Sequence, residues 1–200
     1  MIKYTIINDY QNLRKLWNSE LGFIYPIAED VLEQNIINYP RKYVLGAYDQ
    51  EQLIGFVVGK KNITKIENYQ NLGWISIIFV AKHYRNRGIG SKLLEAVEQY
   101  LHGVEVIHIG KDINNFFPGV PVDFFGLTDR FFTNRGYLAS SITNDLINRN
   151  LKKISIRNQE IQYQVCTLTE KNKLLLFMKK NFPGRWTYEV EDYFLNGGDG

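Results

Sequence analysis

The stretch "LGWISIIFVAKHYRNRGIGSKLLEAVEQYL" (Leu72 to Leu101) decides the fold of this chain. Its first ten residues are apolar on both alternating faces, which predicts a central β-strand covered on both sides. Its second half carries leucine and valine at helical spacing, with lysine and glutamate facing outward, which predicts an amphipathic helix. Two arginines and two glycines fill the junction. The sequence therefore predicts a strand, a glycine-rich loop and a helix in direct succession.

This junction has the composition of an anion site. A helix N-terminus presents unpaired backbone N–H groups and the positive end of the helix dipole. Glycines at Gly88 and Gly90 permit positive φ, so the amides from about Arg87 to Ser91 can converge on one phosphate group. Arg85 and Arg87 add full charges and forked donors. A diphosphate is the ligand that this arrangement favours.

The segments before the junction also give clear patterns. "IKYTII" (Ile2 to Ile7) is typical of a strand, and "YQNLRKLWNSEL" (Tyr10 to Leu21) predicts a helix with Asn8 or Asp9 as its cap. "KYVLGAY" and "LIGFVVGKK" flank the polar tetrapeptide "DQEQ", which predicts a hairpin. "VEVIHIG" after the amphipathic helix predicts a further strand.

Three phosphate-binding designs compete for the loop. A Walker loop ends in Gly-Lys-Ser/Thr, but here Ser91 precedes Lys92 and the early glycine is missing. A dinucleotide fingerprint needs a third glycine, which is absent. As the third design, "FVAKHYRNRGIGSKLLEAVEQYL" resembles the coenzyme A-binding segment of the GNAT superfamily of N-acetyltransferases, whose signature is Arg/Gln-x-x-Gly-x-Gly/Ala. Arg85, Gly88 and Gly90 occupy its three fixed positions.

The resemblance reaches beyond this motif. Over residues 1–151 the order of strand, two helices, hairpin, central strand, helix, strand, helix and two final strand-like segments is the family's order. "FFTNRGY" (Phe131 to Tyr137) is similar to the aromatic-x-x-x-Gly-aromatic ending of the family's last helix. The resemblance implies an α/β GNAT fold, in which helices flank both faces of a mixed central sheet and a splayed parallel pair of strands binds coenzyme A. We assign residues 1–151 to this acyltransferase domain.

Residues 152–200 allow two interpretations. "IKYTIINDYQNLRKLWNSELGF" from Ile2 and "IQYQVCTLTEKNKLLLFMKKNF" from Ile161 match at one constant offset, and each predicts a strand followed by a helix. The first interpretation is a linker and the start of a second GNAT-like unit in a tandem protein. The second is a C-terminal helical cap on the first domain.

The resemblance also implies where the cofactor, acetyl-CoA, would lie. In GNAT proteins the central strand carries a bulge and splays from its parallel neighbour, and the pantetheine arm of coenzyme A adds hydrogen bonds to that strand. The strand backbone that matches is Ile78, Phe79 and Val80. The diphosphate would be held by the loop and helix start, namely Arg85, Asn86, Arg87, Gly88, Ile89, Gly90 and Ser91.

The usual catalytic groups of the family are not found at their positions. Many relatives place a tyrosine acid where this chain has Phe132, and some place a glutamate base on the central strand, which here reads "WISII". The remaining candidates are Tyr137, directly after the glycine of that motif, Asp112, after the fifth strand, and Tyr25, in the loop between the first two helices. The general acid and base are therefore not assigned, and no metal-ligand cluster occurs.

The first hypothesis for function is an acyl-CoA-dependent N-acetyltransferase acting on an amine of a small molecule or peptide. The alternative is a catalytically degenerate domain that binds acyl-CoA as a sensor in a tandem protein. A net charge of +3 gives no basic face for nucleic acid, and no apolar run is long enough for a bilayer. With a single cysteine, Cys166, and no signal peptide, we expect a cytoplasmic protein whose protein partner is a homodimer mate or a tandem second domain.

Overall fold

The structure is a computed structural model that describes residues 1–114, 116–121, 128–140, 142 and 160–195. The chain divides into two compact units, Met1–Val120 and Pro121–Gly200. Each is described by itself below.

The first unit is built on one five-stranded sheet. Its strands lie side by side in chain order. The first four are antiparallel to their neighbours, and the last pairs in parallel with the fourth. The strands are β1 (Ile2–Ile6), β2 (Lys42–Asp49), β3 (Gln52–Lys61), β4 (Leu72–Val80) and β5 (Val106–Ile109).

Helices cover both faces of this sheet. They are α1 (Tyr10–Leu21), the short α2 (Glu29–Leu32) with a π-helical turn (Glu33–Ile37), and α3 (Ile89–Tyr100). Trp17 of α1 packs against Phe56 and Phe79 on one face, with ring centroids 6.5 and 5.6 Å from its own. On the other face Gly59 lets α3 approach, because a Cβ there would lie 2.4 Å from Val97 Cγ2. The predicted mixed α/β fold is confirmed.

Local signals set the ends of α1 as predicted. The Asp9 side chain accepts the backbone N–H groups of Gln11 and Asn12, at 3.1 and 3.3 Å, and so satisfies two donors of the first turn. Leu13 and Trp17 are the buried residues of this helix, one turn apart on the side that faces the sheet.

A β-bulge interrupts the β3–β4 ladder. Val58 pairs with Ile77, but the next residue, Gly59, pairs with Ile75, so Ser76 is an extra residue in β4. The bulge changes the alternation of side chains along β4. It leaves the Ser76 hydroxyl on the same face of the sheet as Lys60 of β3, where both contact Asp112.

The second unit contains α4 (Thr128–Thr133), α5 (Lys171–Asn181) and α6 (Arg185–Leu195), and α5 packs with α6. The helix expected in the second repeat is present as α5. The strand expected from Ile161 is not formed, because residues 161–167 pair with no described strand. The two strand-like segments predicted between Gly136 and Leu151 fall mostly on residues outside the described part of the chain, and the described residues 137–140 and 142 form no strand. Among the described residues no helix has the length and apolar character needed to cross a membrane.

Candidate functional site

A slot opens where β5 leaves β4. The parallel ladder joins only Leu72–Ile75 to β5, and its last contact is Gly110 N–H to Ile75 O at 3.0 Å. Gly110 and Lys111 then both adopt positive φ, 68° and 53°, which turns the chain away from β4. The second half of β4, from Ser76 onward, is thus separated from β5. This geometry matches the splayed parallel pair that the resemblance implies.

Strand geometry tells which backbone groups face the slot. Ala81 N–H donates to Ile54 O at 2.8 Å, on the β3 side. Because N–H and C=O groups alternate between the two edges of an antiparallel strand, those of Phe79 also face β3, whereas those of Ile78 and Val80 face the slot. Of the three strand residues predicted to contact the cofactor, Ile78 and Val80 therefore turn their main-chain groups toward the slot, and Phe79 turns its side chain into the core.

The loop beyond β4 has the backbone of an anion cradle. Asn86 has φ 60° and Gly88 has φ 78°, and α3 begins directly after Gly88. The N-cap residue is Gly88 itself, which has no side chain to accept the first N–H groups. A Cβ built on Gly88 would meet nothing within 4 Å, so the space beside this residue is open. Positive-φ residues before an uncapped helix start aim backbone N–H groups at one point, which fits a diphosphate.

Arg85 is held beneath this loop. Its Nε donates to Val80 O at 2.8 Å, and its Nη2 lies 3.2 Å from Glu20 Oε2, in an ion pair that solvent partly reaches. The Glu20 carboxylate also accepts the Lys82 N–H. These contacts join the end of β4, the loop and α1. Arg85 therefore fixes the cradle, while Arg87, exposed and stacked on Tyr84, is the freer charge.

Aromatic side chains form a wall beside the second half of β4. Trp17 lies at its centre, with ring centroids 5.6 Å from Phe79 and 5.1 Å from Phe117. Tyr25 meets the Phe117 ring edge-on at 6.3 Å, and its carbonyl accepts the Trp17 indole N–H at 2.6 Å. Phe116 packs against Phe117 with the two rings tilted and their centroids 4.5 Å apart. The candidate Tyr25 is half-buried here, so it borders the site at its apolar side.

The candidate Asp112 lies at the point where the strands separate, in a cluster that the sequence did not predict. Its Oδ2 accepts from Lys60 Nζ and from Ser76 Oγ, each at 2.6 Å, and its Oδ1 accepts the Phe116 N–H at 3.1 Å. Lys60 is 1% exposed, Asp112 0% and Ser76 5%. The rings of Tyr39 and Phe116 enclose the ammonium at 4.9 and 5.7 Å from its nitrogen. Asp112 thus bridges β3, β4 and the loop after β5.

The electrostatics of this cluster follow from its burial. Desolvation lowers the pKa of Lys60, and the Asp112 carboxylate opposes that shift by its charge and hydrogen bond. Both carboxylate oxygens of Asp112 are engaged and neither is in contact with solvent. Such a group is built to hold structure rather than to accept a proton from a substrate. The only signal for this cluster in the sequence is Lys60, a lysine that lies within an otherwise apolar strand. Its neighbour Lys61 is the last residue of that strand, where a charged side chain is expected.

The loop that follows Asp112 is tightly folded against β5. Lys111 N–H donates to Phe117 O at 2.8 Å. A Cβ on Gly110 would lie 2.7 Å from both Phe117 O and Gly119 N. The loop therefore returns directly over Gly110, and this close approach requires a glycine.

Replacing Gly110 with alanine is expected to destabilise the fold by about 2–6 kcal/mol. Strain at positive φ contributes about 1–3 kcal/mol, and the backbone clash adds about 1–3 kcal/mol. Gly103→Ala is the matched control, because Gly103 has φ 91° and open space around its Cβ position. Urea unfolding of both variants measures the difference, and equal losses would contradict the close approach.

Tyr137, the third catalytic candidate, belongs to the second unit. Its N–H donates to Phe132 O at 3.2 Å, and its ring meets the Phe132 ring edge-on at 5.6 Å. Phe132 itself is 5% exposed. The structure thus brings Tyr25 and Asp112 together around the Phe116–Phe117 loop, whereas Tyr137 is described only within its own unit.

The first unit also has a depression away from the slot. An open depression on the first unit is lined by Pro40, Arg41, Asn62, Ile63, Thr64, Lys65 and Gln70. It lies at the end of β3 remote from the glycine-rich loop, and it holds no cluster of titratable side chains. Within the described parts of the chain, no group of three His, Cys, Asp or Glu side chains could hold a metal ion.

Comparison with known proteins identifies the family. The model of the acetyltransferase (GNAT) family matches residues 10–116, which is more than half of the chain. The chain belongs to the GNAT acetyltransferase family. The match covers α1 to the aromatic loop and so includes the slot, the glycine-rich loop and the buried cluster. No curated protein matches the chain.

Solved structures share the GNAT fold at low sequence identity. A glucosamine N-acetyltransferase region of a fungal multi-domain β-N-acetylglucosaminidase is 19% identical with a TM-score of 0.75, over 99% of this chain and 25% of that one. This chain thus spans about a quarter of that protein's length. An aminoglycoside acetyltransferase from an uncultured soil metagenomic sample is 20% identical with a TM-score of 0.52, over 76% and 96%. A putative acetyl transferase from Pyrococcus furiosus is 22% identical with a TM-score of 0.50, over 73% and 100%.

Proposed function

We propose that this chain is an acetyl-CoA-dependent N-acetyltransferase that acetylates an amine of a small molecule or peptide. The observation that supports this proposal is the backbone conformation of one continuous segment, from Ser76 to the first turn of α3. The separated half of β4 leads directly into the positive-φ loop and the uncapped start of α3. An extended pantetheine arm and a diphosphate match these two features in the same order.

Acetyl-CoA would supply a thioester carbonyl that an amine attacks directly. The N–H groups of Ile78 and Val80, which strand alternation turns to the slot, are placed to donate to an oxygen that gains charge there. The aromatic wall would make that end less polar than water and so strengthen these hydrogen bonds. Arg85, the loop from Asn86 and the first turn of α3 hold the diphosphate end.

An alkyl amine with a pKa of about 10.4 must lose a proton before it attacks. Of the candidates, Tyr25 borders the acyl end and has the hydroxyl that can exchange a proton there, directly or through water. Tyr137 is the second candidate. Asp112 is engaged by Lys60 and Ser76, so we assign it no proton-transfer step.

The first test is calorimetric titration of acetyl-CoA and of free CoA at low salt, followed by an assay for free thiol with a panel of amines. An amino sugar and an aminoglycoside belong in the panel, because they are the acceptors in the names of two proteins with this fold. We expect binding and amine-dependent thiol release. Binding without release for any amine would support the alternative, an acyl-CoA-binding domain, and no binding would overturn both.

A further inference from the structure

The buried cluster lies at the acyl end of the slot, as follows from the direction of β4. The cradle for the diphosphate begins just after Val80, at the open end. Ser76 is four residues back along the strand, which at about 3.3 Å per residue places it about 13 Å deeper. The ladder between β4 and β5 stops at Ile75, so Ser76 is the first residue past the junction of the two strands.

Three parts of the chain donate hydrogen bonds to the Asp112 carboxylate. The donors are Lys60 in β3, Ser76 at the bulge of β4, and the Phe116 N–H in the loop that follows β5. The pair Lys60–Asp112 is excluded from solvent on all sides. An isolated charge is costly to bury. Moving either partner out of the cluster would therefore leave the other as an unpaired buried charge, which keeps both in place.

The same contacts decide where the aromatic wall stands. Phe116 N–H is fixed by Asp112, Lys111 N–H is fixed by Phe117 O, and Phe117 packs on Trp17. Movement of the carboxylate would therefore move both phenylalanine rings relative to β4. The wall is as rigid as the cluster that anchors it.

We infer that the Lys60–Asp112–Ser76 cluster is a positioning device that sets the depth of the acyl end of the slot and thereby restricts the length of the acyl group. This rests on the proposed function in that the ligand is an acyl-CoA. Lys60, Asp112 and Ser76 act through the Phe116–Phe117 loop and do not touch the reacting atoms. We expect the cluster to favour a short acyl chain, because the loop that it anchors packs against Trp17 beside the second half of β4.

The test compares the wild-type chain with Lys60→Met/Asp112→Leu, which removes both charges together, and with Ser76→Ala, which removes one hydrogen bond. Calorimetry measures affinity for free CoA and for non-hydrolysable thioether analogues that carry acetyl and hexanoyl groups. We expect free CoA to bind all three proteins within about threefold, since the diphosphate cradle is remote from the change. The wild-type preference for acetyl over hexanoyl, expected to be at least about tenfold, should narrow to about threefold in the double variant. An unchanged preference would overturn the inference.

A second measurement does not depend on coenzyme A. Amide hydrogen exchange of Lys111, whose N–H is bound to Phe117 O, reports whether the loop stays closed. In the double variant we expect exchange at Lys111 to accelerate by at least about tenfold, while Ala81, on the other edge of β4, keeps its protection. Unchanged protection at Lys111 would show that the cluster does not hold the loop. If the wild-type protein fails to bind any CoA ligand while Lys111 responds as expected, the proposed function and the restriction on acyl length fail, and the anchoring of the loop stands.

Discussion

Gly88→Glu is expected to weaken acetyl-CoA binding by at least about 100-fold. The substitution adds a carboxylate at the start of α3, where the diphosphate would lie against the backbone N–H groups. Two like charges 4 Å apart repel by about 1 kcal/mol in water and about 4 kcal/mol near a protein surface. The new side chain must also adopt φ 78°, which disfavours the cradle conformation itself. Calorimetric titration with acetyl-CoA measures the loss.

The control for this prediction is Gly103→Glu, just past the other end of the same helix. Gly103 has φ 91° and open space around its Cβ position, so the strain and the change in net charge are matched. We expect that variant to bind acetyl-CoA within about threefold of wild type. Equal losses in the two variants would mean that the helix start is not the diphosphate site.

Lys60→Met is expected to destabilise the fold by about 3–5 kcal/mol, because it leaves the Asp112 carboxylate buried without its cation. Removing both charges in Lys60→Met/Asp112→Leu should restore much of that loss. Apolar pairs often replace buried ion pairs with little change, although the Phe116 N–H then lacks an acceptor, at a cost of about 1–3 kcal/mol. The double variant should therefore be more stable than the single one. Urea unfolding monitored by circular dichroism gives both values.

The neighbouring Lys61→Met is the matched control for this series. Its ammonium lies at the surface, 3.3 Å from His102 O, so we expect it to cost about 1 kcal/mol or less. A Lys60→Met variant no less stable than Lys61→Met would contradict the burial of the pair.

Much of the fold could be predicted because its signals are local. The helix over Tyr10–Leu21 has both ends as predicted, since apolar spacing marks its buried side and Asp9 caps its start. The hairpin and the central strand also lie where the alternation of apolar residues puts them. The glycine-rich loop could be read because positive φ at Gly88 and the helix start are encoded within a few residues.

What could not be predicted depends on contacts between distant residues. Lys60 and Asp112 are 52 positions apart, and their meeting requires an extra residue in β4 that no local pattern reveals. From the sequence, Asp112 is a catalytic candidate only because it follows β5. Its partners, Lys60 and Ser76, become visible only in the structure. The strand expected from Ile161 failed for the related reason that a strand forms only where another strand pairs with it. The alternation of apolar residues from Ile161 indicates a preference for extended backbone. No described strand forms hydrogen bonds with this segment, so it is not part of a sheet.

The strict chain order of the sheet has a consequence for how the molecule assembles. β2 and β3 form a hairpin with a two-residue turn, and β4 joins that hairpin through the connection over residues 62–71, so these parts require little loop closure. β5 follows α3 in the chain and pairs with β4 through only four residues, so we expect this edge of the sheet to be completed late in folding. For the same reason we expect it to open early in a partial unfolding event, and a ligand bound in the slot would oppose that opening.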